Sequence, residues 1–249
     1  MPEGYNAVMN STVAERLLEI NRKFYNQFGD SFSATRQRLQ PGVKRILETI
    51  WEDDSVLDLG CGNGHFLRAL VRRGHKAPLL GADFSLPLLR DAESTPGVRF
   101  WEMDLTKLSA KSEQLLSVHG PWSIVTMFAT LHHIPSKDIR LDIFQTVKKI
   151  LKADGKFIVS NWQFLNSEKL KARIQPWSRV GLADGDVDNG DYLLDWRSGG
   201  AGLRYAHHFS AEELLELAGQ AGMSLSESFL SDGENGRLGL YQVWNSNPE

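Results

Sequence analysis

The sequence predicts an α/β protein built on a mostly parallel seven-stranded sheet that ends in an antiparallel C-terminal hairpin. Three observations carry that prediction. Short apolar runs alternate with amphipathic helical patterns from about residue 51 to residue 162. A glycine-rich turn, "LDLGCGNG", follows the first of these runs and opens a helical pattern. Two strand-like runs close the chain after a last capped helix.

Residues 13–28 place Val13, Leu17, Ile20 and Phe24 at helical spacing, so the chain opens on an amphipathic helix. The next stretch, "DSFSATRQRLQPG", mixes isolated aromatics, small polar residues and two arginines. It suits neither helix nor strand, and its position ahead of the core suggests a lid. Pro41 then serves as the first-turn proline of a second helix running to about Trp51. "SVLDLG" is a buried strand and "GHFLRALVRRG" a helix closed by Gly74. "APLLGADF" reads as strand, "LPLLRDAES" as helix and "GVRFWEMDL" as strand, followed by a polar helix near 107–118. "WSIVTMFATL" is the fourth strand, "SKDIRLDIFQTVKKILKADG" a helix closed by glycine, and "KFIVSNW" the fifth strand. Such alternation argues a parallel sheet with helices on both faces.

After Trp162 the rhythm breaks, and residues 163–208 read as a loop-rich insertion with "DGDVDNGD" and "RSGGAG" as turn clusters. A loop that long in a compact domain is usually functional or disordered. "SAEELLELAGQAG" restores a helix, with Ser210 as N-cap and Glu213 at the capping-box position. Strands near 223–231 and 237–245 form the closing hairpin. The organisation expected is an N-terminal part, 1–50, of helices and lid, and a core, 51–249, carrying the 163–208 insertion.

The 249 residues are 41% hydrophobic and 24% charged, the balance of an ordinary globular chain. A net charge of −3 announces no global field for nucleic acid, although it says nothing of local patches. The single cysteine, Cys61, excludes an internal disulfide and a cysteine zinc site. With no membrane-length apolar run and no basic, apolar leader at "MPEGYNAVMNS", the chain reads as cytoplasmic, with no membrane partner and no metal.

Chemistry concentrates at the strand ends. Asp58, Gly60, Gly62 and Gly64 lie where the first strand becomes the first core helix, and glycines there let backbone approach a ligand closely. Asp83 ends the second strand, placed to accept hydrogen bonds from ribose hydroxyls. Asp104 follows the third strand, where an adenine amino group would be held. The spacing is GxGxG rather than the GxGxxG of NAD sites. His132 and His133 stand at the mouth of the fourth strand, as a base, as a donor that orients a second substrate, or as packing for the loop start. Cys61 lies inside the glycine loop, not facing a substrate, so covalent attack on a pyrimidine ring is not expected.

"LDLGCGNG" with Asp83 and Asp104 resembles the S-adenosylmethionine site of class I methyltransferases, whose fold is Rossmann-like. The resemblance implies that Gly60, Gly62 and Gly64 line the methionine and ribose, Asp83 the ribose, and Asp104 with Leu105 the adenine. Tyr25, Asp58, Phe84 and Phe128 complete the cofactor set, with Tyr25 and Phe32 shielding the methionine end and Ser33 and Thr35 bonding near it. "FSATR", "GDYLLDW" and "RYAHHF", in that order, resemble one subgroup, the tRNA wobble-uridine carboxymethyl methyltransferases, whose domain also occurs fused to an AlkB-type hydroxylase. That likeness implies Arg36, His132 or His133, Asp191, Trp196, Arg204, Tyr205 and His207 facing the acceptor, with Arg36 on either the cofactor or the acceptor carboxylate. It also implies a tRNA partner and a small activator protein. Phosphate contacts would come from Arg36, Arg38, Lys44 and Arg45 and from Lys169, Lys171, Arg173 and Arg179, with Trp162, Trp177 and Trp196 available for stacking. Asp195, Ala206 and the acidic run Asp184, Asp186 and Asp188 depart from the subgroup's pattern. They keep a small-molecule O-methyltransferase open as the alternative, and a non-catalytic cofactor-fold binding protein as a further one.

Overall fold

The computed structural model describes residues 9–34, 38–197 and 200–246, with residues 30–34 described by backbone alone. Two N-terminal helices, α1 (Ser11–Ala34) and α2 (Pro41–Leu47), precede the core. The core then alternates β1 (Val56–Leu59), α3 (His65–Arg72), β2 (Leu79–Asp83), α4 (Leu86–Ala92) and β3 (Val98–Glu102). It continues through α5 (Ser112–His119), β4 (Trp122–Phe128), α6 (Lys137–Ile150) and β5 (Leu151–Trp162). A second unit follows, with α7 (Glu168–Lys171), β6 (Ile174–Gln175), β7 (Asp191–Trp196) and β8 (Gly202–His207). The chain closes on α8 (Ala211–Gln220), β9 (Met223–Ser231) and β10 (Gly239–Ser246).

The seven-stranded sheet runs β3-β2-β1-β4-β5-β10-β9. β1 pairs in parallel with β2 on one side and β4 on the other, so the strand order reverses beside β1. Ligands of open α/β sheets bind at such a point, outside the carboxyl ends of the strands. β10 enters antiparallel between β5 and β9. The strands are covered on both faces, which explains why β1 and β2 read as largely apolar runs, broken only by Asp58 and Asp83, rather than as alternating ones. One face packs on α5, α6 and α8 through Leu115, Phe144 and Leu217. The other packs on α2, α3 and α4 through Ile46, Leu67 and Leu89.

Three sequence expectations are corrected. First, α1 does not stop at Phe28 but runs to Ala34, taking in the start of the segment expected to be irregular. It docks along α4, with Gly29 facing Pro87 and Leu88. That packing outweighs poor local helix propensity. Thr35 and Arg36, and the side chains of Phe32 and Ser33, lie outside the described residues. Second, α6 ends at Ile150, not at a glycine; Leu151 already pairs with Trp122, and Gly155 lies close against the Lys152 backbone where the β4–β5 register shifts. Third, the insertion is not loop alone. "DYLLDW" and "GLRYAH" pair as antiparallel β7 and β8, with β6 on the outer side, in a separate three-stranded sheet.

Candidate functional site

A cavity of about 430 Å³ opens at the carboxyl ends of β1, β2, β4 and β5. Its floor is the glycine turn. Gly60, Gly62 and Gly64 all have φ between 53° and 77°, a region that favours glycine. At Gly60 a β-carbon would lie 2.2 Å from Thr130 Oγ1, so this position admits no side chain. The turn therefore presents bare backbone to whatever fills the cavity.

Around that floor stand three acids. Asp83 accepts from the amides of Gly62 (2.9 Å) and Ser85 (2.8 Å), which fixes its carboxylate against the turn. Burial pushes its pKa up, against those amide bonds. Asp58 is buried beneath the turn and accepts from Thr126 Oγ1 at 2.7 Å. Burial pushes its pKa up to about 7, with the nearby Asp83 charge adding to the effect. The same burial, with Asp83 and Asp58 alongside, holds the Cys61 thiol well above its ordinary value, so it is not a nucleophile at neutral pH. Asp104 also lines the cavity, but both its oxygens are engaged: Oδ1 by Thr106 and Oδ2 by Arg22 at 2.7 Å.

Arg22 belongs to a face of α1 of which the sequence reading named only Tyr25. Leu18, Asn21, Arg22 and Tyr25 recur at helical spacing and roof the cavity. The helical period was legible, but nothing in it said that this polar stripe faces a ligand rather than solvent. Phe84, Leu105 and Phe128 line the walls, as do Tyr25, His132 and His133.

Arg204 completes the wall from β8. It is buried, with its guanidinium 4.4 Å from the Trp162 ring and 5.6 Å from those of Trp196 and Phe24. Among the described residues it has no carboxylate partner, and its Nε–H finds no acceptor. Burial lowers its pKa, the nearby Tyr25 opposing that drift.

Tyr205 and His207, expected to face the acceptor, do not line this cavity. Alternation along β8 turns them, with Asp191 opposite His207, to the other side of the hairpin. There Tyr205 donates to Asp191 Oδ1 (2.7 Å) and accepts from Arg140 (2.9 Å), while His207 bridges Asp191 (2.6 Å) and Glu213 (2.9 Å). This buried cluster bolts the hairpin to α6 and α8. Arg140 is 1% exposed at its centre, and replacing it with methionine leaves two carboxylates without their cation. The expected loss is roughly 3–5 kcal/mol in chemical denaturation. Trp177 lies in the core beneath α1, Trp196 is half-buried against Phe24, and Arg45 is paired with Glu227 at the surface.

The residues fit S-adenosylmethionine: a glycine cradle for close backbone approach, a fixed acid for ribose hydroxyls and a second acid for a cation. The model of a methyltransferase domain family matches residues 32–228. The chain belongs to that family. It is a methyltransferase that uses S-adenosylmethionine. A protein of Encephalitozoon cuniculi (strain GB-M1), named for methyltransferase activity with no substrate, is 30% identical over 205 residues, covering 82% of this chain and 86% of that one. The tRNA (carboxymethyluridine(34)-5-O)-methyltransferase of Arabidopsis thaliana is 27% identical over 148 residues, 58% of this chain but 34% of that one. A trans-aconitate 2-methyltransferase of Rhodopseudomonas palustris (strain BisA53) is 38% identical over 72 residues, 28% of each. Among solved structures, a SAM-dependent methyltransferase of Methanosarcina mazei superposes with a TM-score of 0.63 at 21% identity, covering 85% of this chain and 99% of that one. The 1,6-didemethyltoxoflavin-N1-methyltransferase of Burkholderia thailandensis, bound to S-adenosylhomocysteine, has a TM-score of 0.63 at 17% identity, covering 99% of this chain and 94% of that one. These two share the fold. Among the described residues no helix is long and apolar enough to cross a membrane.

Proposed function

We propose that the enzyme methylates a carboxylate oxygen, and that the carboxylate is carried by a modified uridine of tRNA. The observation that carries this reading is Arg204. A guanidinium buried against aromatic rings, in the wall of the cofactor cavity and with no carboxylate partner among the described residues, suits an acceptor that brings one. A carboxylate is already ionised near neutral pH, so the protein supplies alignment and charge rather than a strong base. The bound cofactor supplies an electrophilic methyl group on a sulfonium. The tRNA carboxymethyluridine enzymes among the relatives support the nucleoside, and Trp162 supports a planar ring beside the carboxylate.

A small carboxylic acid is the second reading. The trans-aconitate enzymes among the relatives favour it, as does a net charge of −3 with Asp184, Asp186 and Asp188 in the insertion. Methyl-labelled S-adenosylmethionine separates the two. The expected result is label in tRNA carrying carboxymethyluridine, with tRNA affinity falling steeply between low and physiological salt as phosphate contacts release counterions. Label in the small-acid pool alone, with no tRNA binding at low salt, replaces the first reading with the second.

A further inference from the structure

We propose that Asn21 is a positioning residue that couples the two halves of the site: it clamps helix α1 to the free edge of β8, so that filling the cofactor half fixes the wall that carries Arg204. The inference rests on Arg204 as the acceptor's anchor.

β8 is an outer strand of the three-stranded sheet, and one of its edges has no strand partner. An edge of that kind leaves backbone N–H and C=O groups to be satisfied by something else. At Tyr205 a helix side chain does it. Asn21 Oδ1 accepts from the Tyr205 N–H at 2.8 Å, and Asn21 Nδ2 donates to the Tyr205 carbonyl at 3.1 Å. The two backbone groups fix the amide's orientation, because an N–H only donates and a carbonyl only accepts. Nδ2 also reaches the His133 carbonyl at 3.3 Å, which ties in the turn after β4. Asn21 is buried, so the clamp is shielded from water.

The same side of α1 follows β8 back toward its start. Phe24, three residues on, lies 5.6 Å from the Arg204 guanidinium, and a β-carbon at Gly202 would meet the Phe28 ring at 2.6 Å. Neighbouring residues of a helix point about 100° apart. Arg22 therefore reaches a different wall, where it pairs with Asp104 at 2.7 Å. Helix α1 is thus a crossbeam over the cavity, gripped by Arg22 on the cofactor side and by Asn21 on the β8 side. A ligand under this roof touches Leu18 and Arg22 only while α1 is down, so it favours the docked helix. The docked helix in turn holds the Tyr205 backbone and lays Phe24 against Arg204. Cofactor and acceptor then bias one element, and such a coupling acts equally in both directions.

The first arm of the test needs no acceptor. The Tyr205 amide reports clamp opening directly, and its hydrogen exchange is followed in the full chain with and without saturating S-adenosylhomocysteine. The ligand should slow exchange at Tyr205 at least tenfold more than at the amides that pair β8 with β7. Asn21→Leu keeps the side chain's size and improves helix propensity, so α1 still forms. In that variant the ligand should protect Tyr205 no more than its hairpin neighbours. No extra protection in the wild type, or full extra protection in Asn21→Leu, overturns the proposal. In the second arm 5-carboxymethyluridine is titrated as the acceptor probe. The wild type should bind it at least tenfold tighter with S-adenosylhomocysteine present, and Asn21→Leu should bring that ratio within threefold. A variant that melts earlier but keeps the ratio makes Asn21 a structural residue and sinks the idea. If the wild type binds the probe in neither state, the Arg204 reading fails, and the exchange arm alone decides the clamp.

Discussion

Asp58→Asn is expected to make the ligand-free protein more heat-stable at pH 8 and to blunt cofactor binding at the same pH. The Asp58 carboxyl is buried and its pKa stands at about 7 in the fold, against 3.8 ordinarily. A raised carboxyl pKa means that the folded state holds the proton more tightly than the unfolded chain. Its contribution to stability is therefore fully present below about pH 4 and is lost as pH rises through 7. A shift of that size corresponds to at most ~4 kcal/mol at pH 8, removed by a neutral isostere. For a chain of this length that is up to roughly 8–16 °C in Tm, visible at pH 8 and nearly absent at pH 4. Cofactor affinity should respond oppositely. The ionised carboxylate beneath the glycine turn suits the cationic end of S-adenosylmethionine, so wild-type affinity should rise with pH between about 6 and 8, with uptake of cofactor releasing up to one proton. Calorimetry in buffers of different ionisation enthalpy reads that proton, and Asp58→Asn should abolish it. A variant no more stable than wild type at pH 8, or one that keeps the proton release, would show that Asp58 is not the strained group. Stability given up at a functional acid is a common pattern at active sites.

The cofactor half of the site was legible in the sequence because its parts are local. Gly60, Gly62 and Gly64 sit within one turn, and Asp83 ends the next strand along. Parallel strands covered on both faces betray themselves as continuous apolar runs. The rest of the cavity wall has no such signature. Tyr25, His133, Trp162 and Arg204 come from α1, the turn after β4, the end of β5 and β8, and their spacing carries no period. Resemblance grouped Arg204 with Tyr205 and His207, but of the three only Arg204 lines the cavity, because β-alternation sends the other two to the opposite side. The β7–β8 hairpin looked like loop for a related reason. Its inward polar residues, Asp191 and His207, satisfy one another and Arg140 inside the protein, and buried polar pairs read as surface when the partners are distant in sequence. Helix α1 ran past its expected end because α4 was there to receive it. Tertiary packing, not propensity, set that boundary.

Two buried arginines with opposite surroundings should respond in opposite ways to the same change, and that contrast isolates the acceptor site. Arg140 has Asp191 and Glu213 as partners, whereas Arg204 has, among the described residues, aromatic rings and an Nε–H without an acceptor. Removing a paired buried cation strands its anions, while removing an unpaired one relieves its desolvation. Arg204→Met should therefore not lower Tm in the ligand-free protein, in contrast to the clear loss expected for Arg140→Met. Catalysis should show the reverse. A charge-assisted, two-point grip on a carboxylate in a dry pocket is worth roughly 3–4 kcal/mol, which converts to a loss of about 10²–10³ in kcat/KM for the acceptor. The cofactor's dissociation constant should stay within about threefold, because the glycine turn, Asp83 and Asp58 lie apart from β8. Arg204→Lys should recover little of the loss, since an ammonium offers neither the planar fork nor the stacking on Trp162 that holds the guanidinium in place. If Arg204→Met instead melts as early as Arg140→Met and retains acceptor turnover, the buried guanidinium is a structural cation and the acceptor must be held elsewhere in the cavity.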